Sequence, residues 1–411
     1  MIKAFFIFLI TYVVITGRRL NFLKIGRPAG VMVGVVLMVL SKTIKANEAY
    51  KLVNWDTILL LLGMMIVIEH LAEANFFEII ASKINKKNYN QKKLMFITVF
   101  GLGFLAGFLV NDIVCIFFTP IMILMIKKRE IPPLPFLLAL ATSTNIGGAI
   151  SFTGNPQNMI IGTMSNIPYF KFFILMLPIG ITCLYVNYLL LMKMYKNSLV
   201  KEIINIDNPE NIVKGVLLRR SVFITILIII GFFIFNNIAW VAFTGATLLL
   251  VLARRDEGDI LRKVDWNLLL FFTGLFIVIG GLHQSGFTDK TINYLINILD
   301  KNIISMWILG GFTVIGSNLF ANVPYVLVIS ESIKALDNSE TMWFVLAFTS
   351  TIAGNLTIIG AIANIIVVER AREIYEISFK DFFKFGLPST ILSFVIGMII
   401  LSMYHFFNII N

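Results

Sequence analysis

The chain has 411 residues, of which 58% are hydrophobic and 14% charged, and its mean hydropathy is +0.88. A soluble domain carries about a quarter charged residues, so this composition excludes an ordinary water-soluble globule and points to a polytopic membrane protein. The net charge of +11 is spread as a membrane-topology signal, not as a nucleic-acid-binding patch, and the two cysteines, Cys115 and Cys183, lie in apolar runs that suit neither a disulfide framework nor a thiolate metal site.

The opening run MIKAFFIFLITYVVITGRR lacks a small-residue cleavage site and carries its strong positive cluster after the apolar residues, so it predicts a first span and not a signal peptide. Apolar runs able to cross a bilayer lie near 4–17, 29–44, 56–72, 169–192, 220–236, 239–253, 266–282 and 384–405. Two further stretches, 94–126 and 305–332, are too long for one crossing and have the polar centres LVNDIV and NLFANVP, which predicts re-entrant hairpins. The stretches 135–166 and 342–368 predict broken helices. The first of them holds ATSTNIGGAISFTGNPQNMII (141–161), whose glycines, proline and amides suit no continuous helix. Inside a bilayer, non-helical backbone persists only where protein buries it or it lines a watery cavity.

Lysine and arginine set the direction. With the N-terminus outside and both hairpins re-entrant, 26 of the 34 fall on the cytoplasmic side, the bias that the positive-inside rule describes. The expectation is an all-α polytopic protein with about ten transmembrane helices, two of them broken, plus two re-entrant hairpins. Both termini would lie outside the cell (inner or plasma) membrane.

The second half repeats the first. Gly34, Trp55, Gly63, Val67, Leu71, Phe76 and Asn111 recur 211 positions later as Gly245, Trp266, Gly274, Val278, Leu282, Phe287 and Asn322. The register then slips, with Thr142-Ser143-Thr144 returning as Thr349-Ser350-Thr351 and Gly154 with Asn158 as Gly360 with Asn364. An odd number of crossings per half makes the repeats inverted, a pattern of secondary transporters. The halves are 1–194 and 220–411, joined by a charged cytoplasmic linker, 195–219.

Four polar breaks would then converge at mid-membrane. Expected solute contacts are Asn111, Asp112, Thr144, Asn145, Gly154, Asn155, Asn158, Asn322, Pro324, Asn355 and Asn364, with Asp112, Asn111, Gly148 and Asn322 serving ion or proton coupling. Amides and freed carbonyls hold solutes and cations, while open helix N-termini favour anions or polar oxygens. Asp112 is the one carboxylate placed deep in the membrane, which by itself suggests a coupling charge; its repeat partner is Val323. Lysine and arginine are absent from the expected site, which favours a neutral or monovalent solute. Glu69-His70 and Glu331 suit interfacial positions, and Cys115 suits packing.

NDIVCIFFTP (111–120), NIGGAISFTGNPQN (145–158) and ANVPYVLV (321–328) resemble the ion-transporter superfamily, in its branch of arsenite permeases, Na⁺/H⁺-antiporter-like proteins and anion permeases. The likeness extends over nearly the whole chain. It implies an elevator in which hairpins and broken helices move against a scaffold, a homodimer, and room for a separate ATPase subunit. Asn111 and Asn322 match tip asparagines that bind ion and substrate in the more distant dicarboxylate/Na⁺ symporters. Asp112 and Val323 stand where those symporters have threonine.

The leading expectation is a proton- or ion-coupled secondary transporter for a small oxyanion or an arsenite-like solute, with no cofactor beyond a bound Na⁺ or H⁺. A Na⁺/H⁺ antiporter comes second and a sodium-coupled di- or tricarboxylate symporter third. HExxH, GxSxG and GxxxxGK[ST] are all absent from the chain, which argues against an enzyme or a single-chain ATP-driven pump.

Overall fold

The computed structural model describes residues 1–17, 26–85, 89–199, 215–253, 256–286, 303–334, 336 and 339–410, and among them the chain is helical with no strand. The first half runs α1 (Ile2–Gly17), α2 (Arg27–Leu40), α3 (Trp55–Glu73), a short amphipathic α4 (Phe76–Asn85), α5 (Gln91–Leu109), α6 (Asn111–Arg129), α7 (Pro133–Gly148), α8 (Pro156–Met164) and α9 (Tyr169–Met194). The second follows the same order: α10 (Val216–Ile234), α11 (Ile238–Leu252), a short charged α12 (Glu257–Lys263), α13 (Trp266–Gln284), α14 (Ile303–Phe320), α15 (Asn322–Lys334), α16 (Glu340–Ala353), α17 (Ile362–Ala371) and α18 (Phe379–Phe406). Among the described residues seven helices are long and apolar enough to cross a bilayer, and α1, α2 and α11 are shorter apolar helices. Most of the expected linker, 200–214, lies outside the described residues, as does Phe287; α10 already begins at Val216. The short α4 and α12 were not expected, because both are too charged and too brief to register as spans.

The repeated glycines sit where helices cross. A Cβ on Gly63 of α3 would lie 2.8 Å from the Ala242 backbone of α11. Gly274 of α13 meets Val31 of α2 in the matching crossing. Gly34 lets α2 approach Thr11 of α1, and Gly245 lets α11 approach Ile228 of α10. Small residues that bring backbones together are the usual means of packing helices in lipid. Val67 and Val278 are fully buried in this layer, whereas Trp55 and Trp266, each opening its helix, are exposed, as anchors at a membrane–water interface are.

The chain reverses between α5 and α6 and between α14 and α15. Leu94 and Leu102 of α5 lie beside Met125 and Phe118 of α6, and the Tyr325 ring of α15 packs on Gly316 of α14. Both reversals pass through a left-handed residue that is not glycine: Val110 at φ 63° and Ala321 at φ 60°. For a β-branched valine this is an outlier, costing about 1–3 kcal/mol, and such strain concentrates at ligand clamps and active sites.

The two broken helices interrupt in the same manner. After α7 the backbone extends at Ser151 (φ −140°) and Asn155 (φ −162°) before α8 starts. After α16 it extends at Thr357 (φ −138°) and Ala361 (φ −140°) before α17. Each second limb packs on the opposite half's hairpin, α8 on α15 and α17 on α6, while α9 and α18 pack on each other. Gly147 presses on the Gly103 backbone, so a methyl there would collide with main chain and not with a side chain that could swing away. Gly147→Ala is therefore expected to destabilise the protein by about 1–3 kcal/mol, read as a lower melting temperature of the purified full chain in detergent.

Candidate functional site

Where the hairpin tips meet the second limbs, a cavity of about 630 Å³ opens. Its floor consists of Asn111 and Asp112 at the start of α6, Asn322 to Pro324 at the start of α15, Pro156 and Gln157 at the start of α8, and Ala361 and Ile362 at the start of α17. Four helix N-termini thus face one space. Each carries a partial positive charge and N–H groups without partners in its own helix. One wall is apolar, formed by Leu268, Phe271 and Phe272 of α13. The charged rim is Arg27, Asp265, Glu369 and Arg372.

The two arginines correct the expectation of a site free of cationic side chains. Both flank apolar runs, where the sequence marks them only as topology signals. Gln157 lies inside a predicted break, but its place on the floor depends on how α8 restarts.

Behind the floor lies a hydrogen-bonded amide core that binds the halves together. Asn145 Nδ2 donates to Asn355 Oδ1 at 2.9 Å and to Asn364 Oδ1 at 3.0 Å, while Asn145 Oδ1 accepts from Asn111 Nδ2 at 2.8 Å. Asn155 Nδ2 donates to Gly148 O and to Thr351 Oγ1, both at 3.1 Å, and Asn155 Oδ1 caps α8 by accepting from the Asn158 N–H at 2.8 Å. Asn158 Nδ2 donates to Gly148 O and Ser151 O, at 3.1 and 3.2 Å. Asn364 Nδ2 donates to Gly354 O at 2.6 Å, and Asn355 Nδ2 to Thr142 O at 3.2 Å. Gly154 packs its backbone on Gly148. Thr144 Oγ1 donates to Leu140 O at 2.9 Å and touches Cys115 Sγ at 3.1 Å.

The expected site residues therefore divide into two layers. Asn111, Asp112, Asn322 and Pro324 reach the cavity. Thr144, Asn145, Asn155, Asn158, Asn355 and Asn364 are buried with hydrogen bonds to protein groups, and Gly148 and Gly154 supply backbone to the same core. Cys115 and His70 are buried too, and the His70 ring is 2.8 Å from the Ile66 carbonyl of its own helix. A lone amide in an apolar run, Asn187, joins the core from α9, donating to Thr142 Oγ1 and Ser143 Oγ and accepting from Ser389 of α18.

Two acceptors on the floor have no hydrogen-bond partner: Asn111 Oδ1 and Asn322 Oδ1. Buried carbonyls left open in this way are costly and suit a bound cation or a donor on a solute. Beside them Asp112 lines the same cavity as Arg27 and the first turn of α17, on which α6 packs. Among the described residues no cluster of three or more His, Cys, Asp or Glu could hold a metal ion.

Comparison with known proteins matches residues 8–349 to the model of a family described as CitMHS, citrate transporter. The chain is 28% identical to a Dictyostelium discoideum protein bearing the transporter name arsB, over 92% of this chain and 87% of that protein. It is also 28% identical to the silicon efflux transporter LSI3 of Oryza sativa subsp. japonica, over 92% of each. A 46 kDa membrane protein of Mycobacterium leprae is 27% identical over 97% of both chains.

Proposed function

Because this chain belongs to the citrate transporter family CitMHS and is a multi-pass membrane transporter, we propose that it is a secondary active carrier for a small oxyanion or an uncharged hydroxy acid of the arsenous acid kind, coupled to protons or ions. One observation carries this reading: four helix N-termini line the same cavity, and two asparagines in its lining hold amide oxygens without a hydrogen-bond partner. The N–H ends accept solute oxygens, and Asn111 Oδ1 and Asn322 Oδ1 accept the solute's hydroxyl protons. A small molecule rich in hydroxyls satisfies both sets at once. The names carried by the Dictyostelium and rice relatives agree with such a solute.

In this reading Asp112 carries the coupling charge, and the buried amide core holds the tips and second limbs as one moving body. Arg27, Asp265, Glu369 and Arg372 all belong to segments that the lysine and arginine bias assigns to the cytoplasm, so the cavity would face inward. On the far side Thr57 Oγ1 lies 2.6 Å from Thr163 Oγ1 and closes α3 onto the end of α8. An elevator stroke would break that contact. The family resemblance supports a homodimer, and a separate ATPase subunit would be compatible with this arrangement.

A Na⁺/H⁺ antiporter is the second reading, favoured by the floor itself: a carboxylate and two open carbonyl oxygens are hard ligands that suit a small cation. A sodium-coupled di- or tricarboxylate symporter is third, since a carboxylate on the floor repels a multivalent anion.

Proteoliposomes with imposed pH or Na⁺ gradients distinguish the three. Sodium-independent uphill movement of arsenite is the expected result. Na⁺-driven alkalinisation without solute movement would favour the antiporter, and Na⁺-driven citrate uptake the symporter.

A further inference from the structure

The tips of the two hairpins are held differently. The first is clamped inside its own half. Ser151 Oγ donates to the Gly107 carbonyl, the Phe108 ring lies 5.6 Å from that of Phe173 on α9, and Leu109 and Val110 are 3% and 8% exposed. The second tip stands clear of its half, with Leu319 64% and Phe320 41% exposed. One tie is Asn318, whose Nδ2 donates to Ala353 O at 2.7 Å and whose Oδ1 accepts from Thr357 Oγ1 at 3.0 Å. The other is Tyr12 of α1, 307 positions away: its hydroxyl donates to Leu319 O at 2.8 Å, and its ring centroid lies 5.0 Å from that of Phe320.

The second tip needs a donor at this place. Leu319 belongs to the last turn of α14, where carbonyls have no partner within the helix. The chain then turns through Ala321 at φ 60°, so no continuing helix supplies an N–H. A carbonyl without a donor is costly inside a bilayer, and the Tyr12 hydroxyl meets it. A strained residue persists only where its surroundings hold it, and Ala321 sits between the tied Leu319 and Asn322. The holder is itself anchored: α1 packs on α2 and α13, and its Ile15 lines the cavity together with Phe320, Ala321 and Asn322.

Asn322 follows Leu319 by three positions and carries one of the two open amide oxygens. We propose that Tyr12 is a positioning residue for the solute site: its hydroxyl and ring hold the exposed tip of the second hairpin and so set where Asn322 stands in the cavity. This rests on the carrier reading and deepens it by a residue outside the cavity lining. A tip that swings freely spends less time with Asn322 in place, and the apparent affinity falls with that fraction. Bound solute draws the tip back, so the rate at saturation is little changed.

Hydrogen–deuterium exchange of the full-length protein in nanodiscs, without solute, tests the hold. Tyr12→Phe is expected to speed exchange across 318–327 about two- to tenfold, the worth of one hydrogen bond, and to leave 107–116 as in wild type. Tyr12→Ala, which also loses the ring contact, is expected to speed it further. Tyr185→Phe, a control 52% exposed on α9, is expected to match wild type. In proteoliposomes with arsenite and citrate as separate probes, Tyr12→Phe is expected to raise KM for the transported probe by a similar factor with little change in maximal rate.

Unchanged exchange at 318–327, or equal acceleration at both tips, would overturn the proposal, as would a lower maximal rate with KM unchanged. Should Tyr12→Ala fail to fold, Phe320→Leu removes the ring contact from the other side and is expected to loosen the same segment. Absence of uphill movement of either probe by wild type would remove the carrier reading independently, and the exchange result would still decide whether Tyr12 holds the tip.

Discussion

Asp112→Asn is expected to reduce gradient-driven uptake or extrusion of the solute to the level of empty liposomes, while the protein purifies and melts as wild type does. The separation of the two effects follows from the geometry. Asparagine matches aspartate in size and stays polar, so α6 keeps its packing on α17 and hairpin α5–α6 stays seated on the opposite half. Only the charge is lost. A carboxylate in the membrane interior is expensive to keep, and a protein that keeps one generally uses it. Flux in proteoliposomes under an imposed pH or Na⁺ gradient, beside a melting curve of the same preparation, reads both effects. Full coupled flux in the variant would rule out Asp112 as the coupling group.

Asn145→Leu should do the opposite, removing stability before any transport can be measured. Asn145 is 1% exposed and makes three amide–amide bonds, to Asn111, Asn355 and Asn364. Leucine is close in size but leaves one donor and two acceptors in a dry interior without that partner. Each such group costs about 1–3 kcal/mol, against a total stability of about 5–15 kcal/mol for a typical domain. The expected outcome is little monodisperse protein by size-exclusion chromatography in detergent and a much lower melting temperature in what survives. Gln157→Ala, on the cavity floor, is expected to melt near wild type and to weaken solute binding instead.

Much of this was legible in the residues, and the reason differs from place to place. The stretch 94–126 announced two arms and a polar tip, and the helices run Gln91–Leu109 and Asn111–Arg129. The stretch 135–166 gave itself away through Gly147, Gly148, Gly154 and Pro156, residues that a helix in lipid keeps only for a purpose. The fixed offset of 211 positions located crossings as well as spans, since Gly63 and Gly274 proved to be matching points of helix approach. What could not be read was the direction each amide takes. Asn111 and Asn145 look alike in sequence, yet one reaches the cavity and the other fills the core, and the difference depends on how two halves interlock. Nor did any glycine mark the left-handed turns at Val110 and Ala321. Arg27 is a topology marker until α2 is seen to begin at the cavity rim.

The exchange of partners across the halves carries a final consequence. Because α2 rests on α13, α3 on α11, α6 on α17 and α8 on α15, neither half has a complete interior of its own. Two fragments divided between α9 and α10 would each enter the bilayer with half of every seam exposed to lipid. Their missing contacts would lie on the other fragment, so the halves should find one another when made together and be degraded when made alone. Such mutual dependence also limits what substitution can later alter: a change on either side of a seam must suit a surface encoded some two hundred codons away.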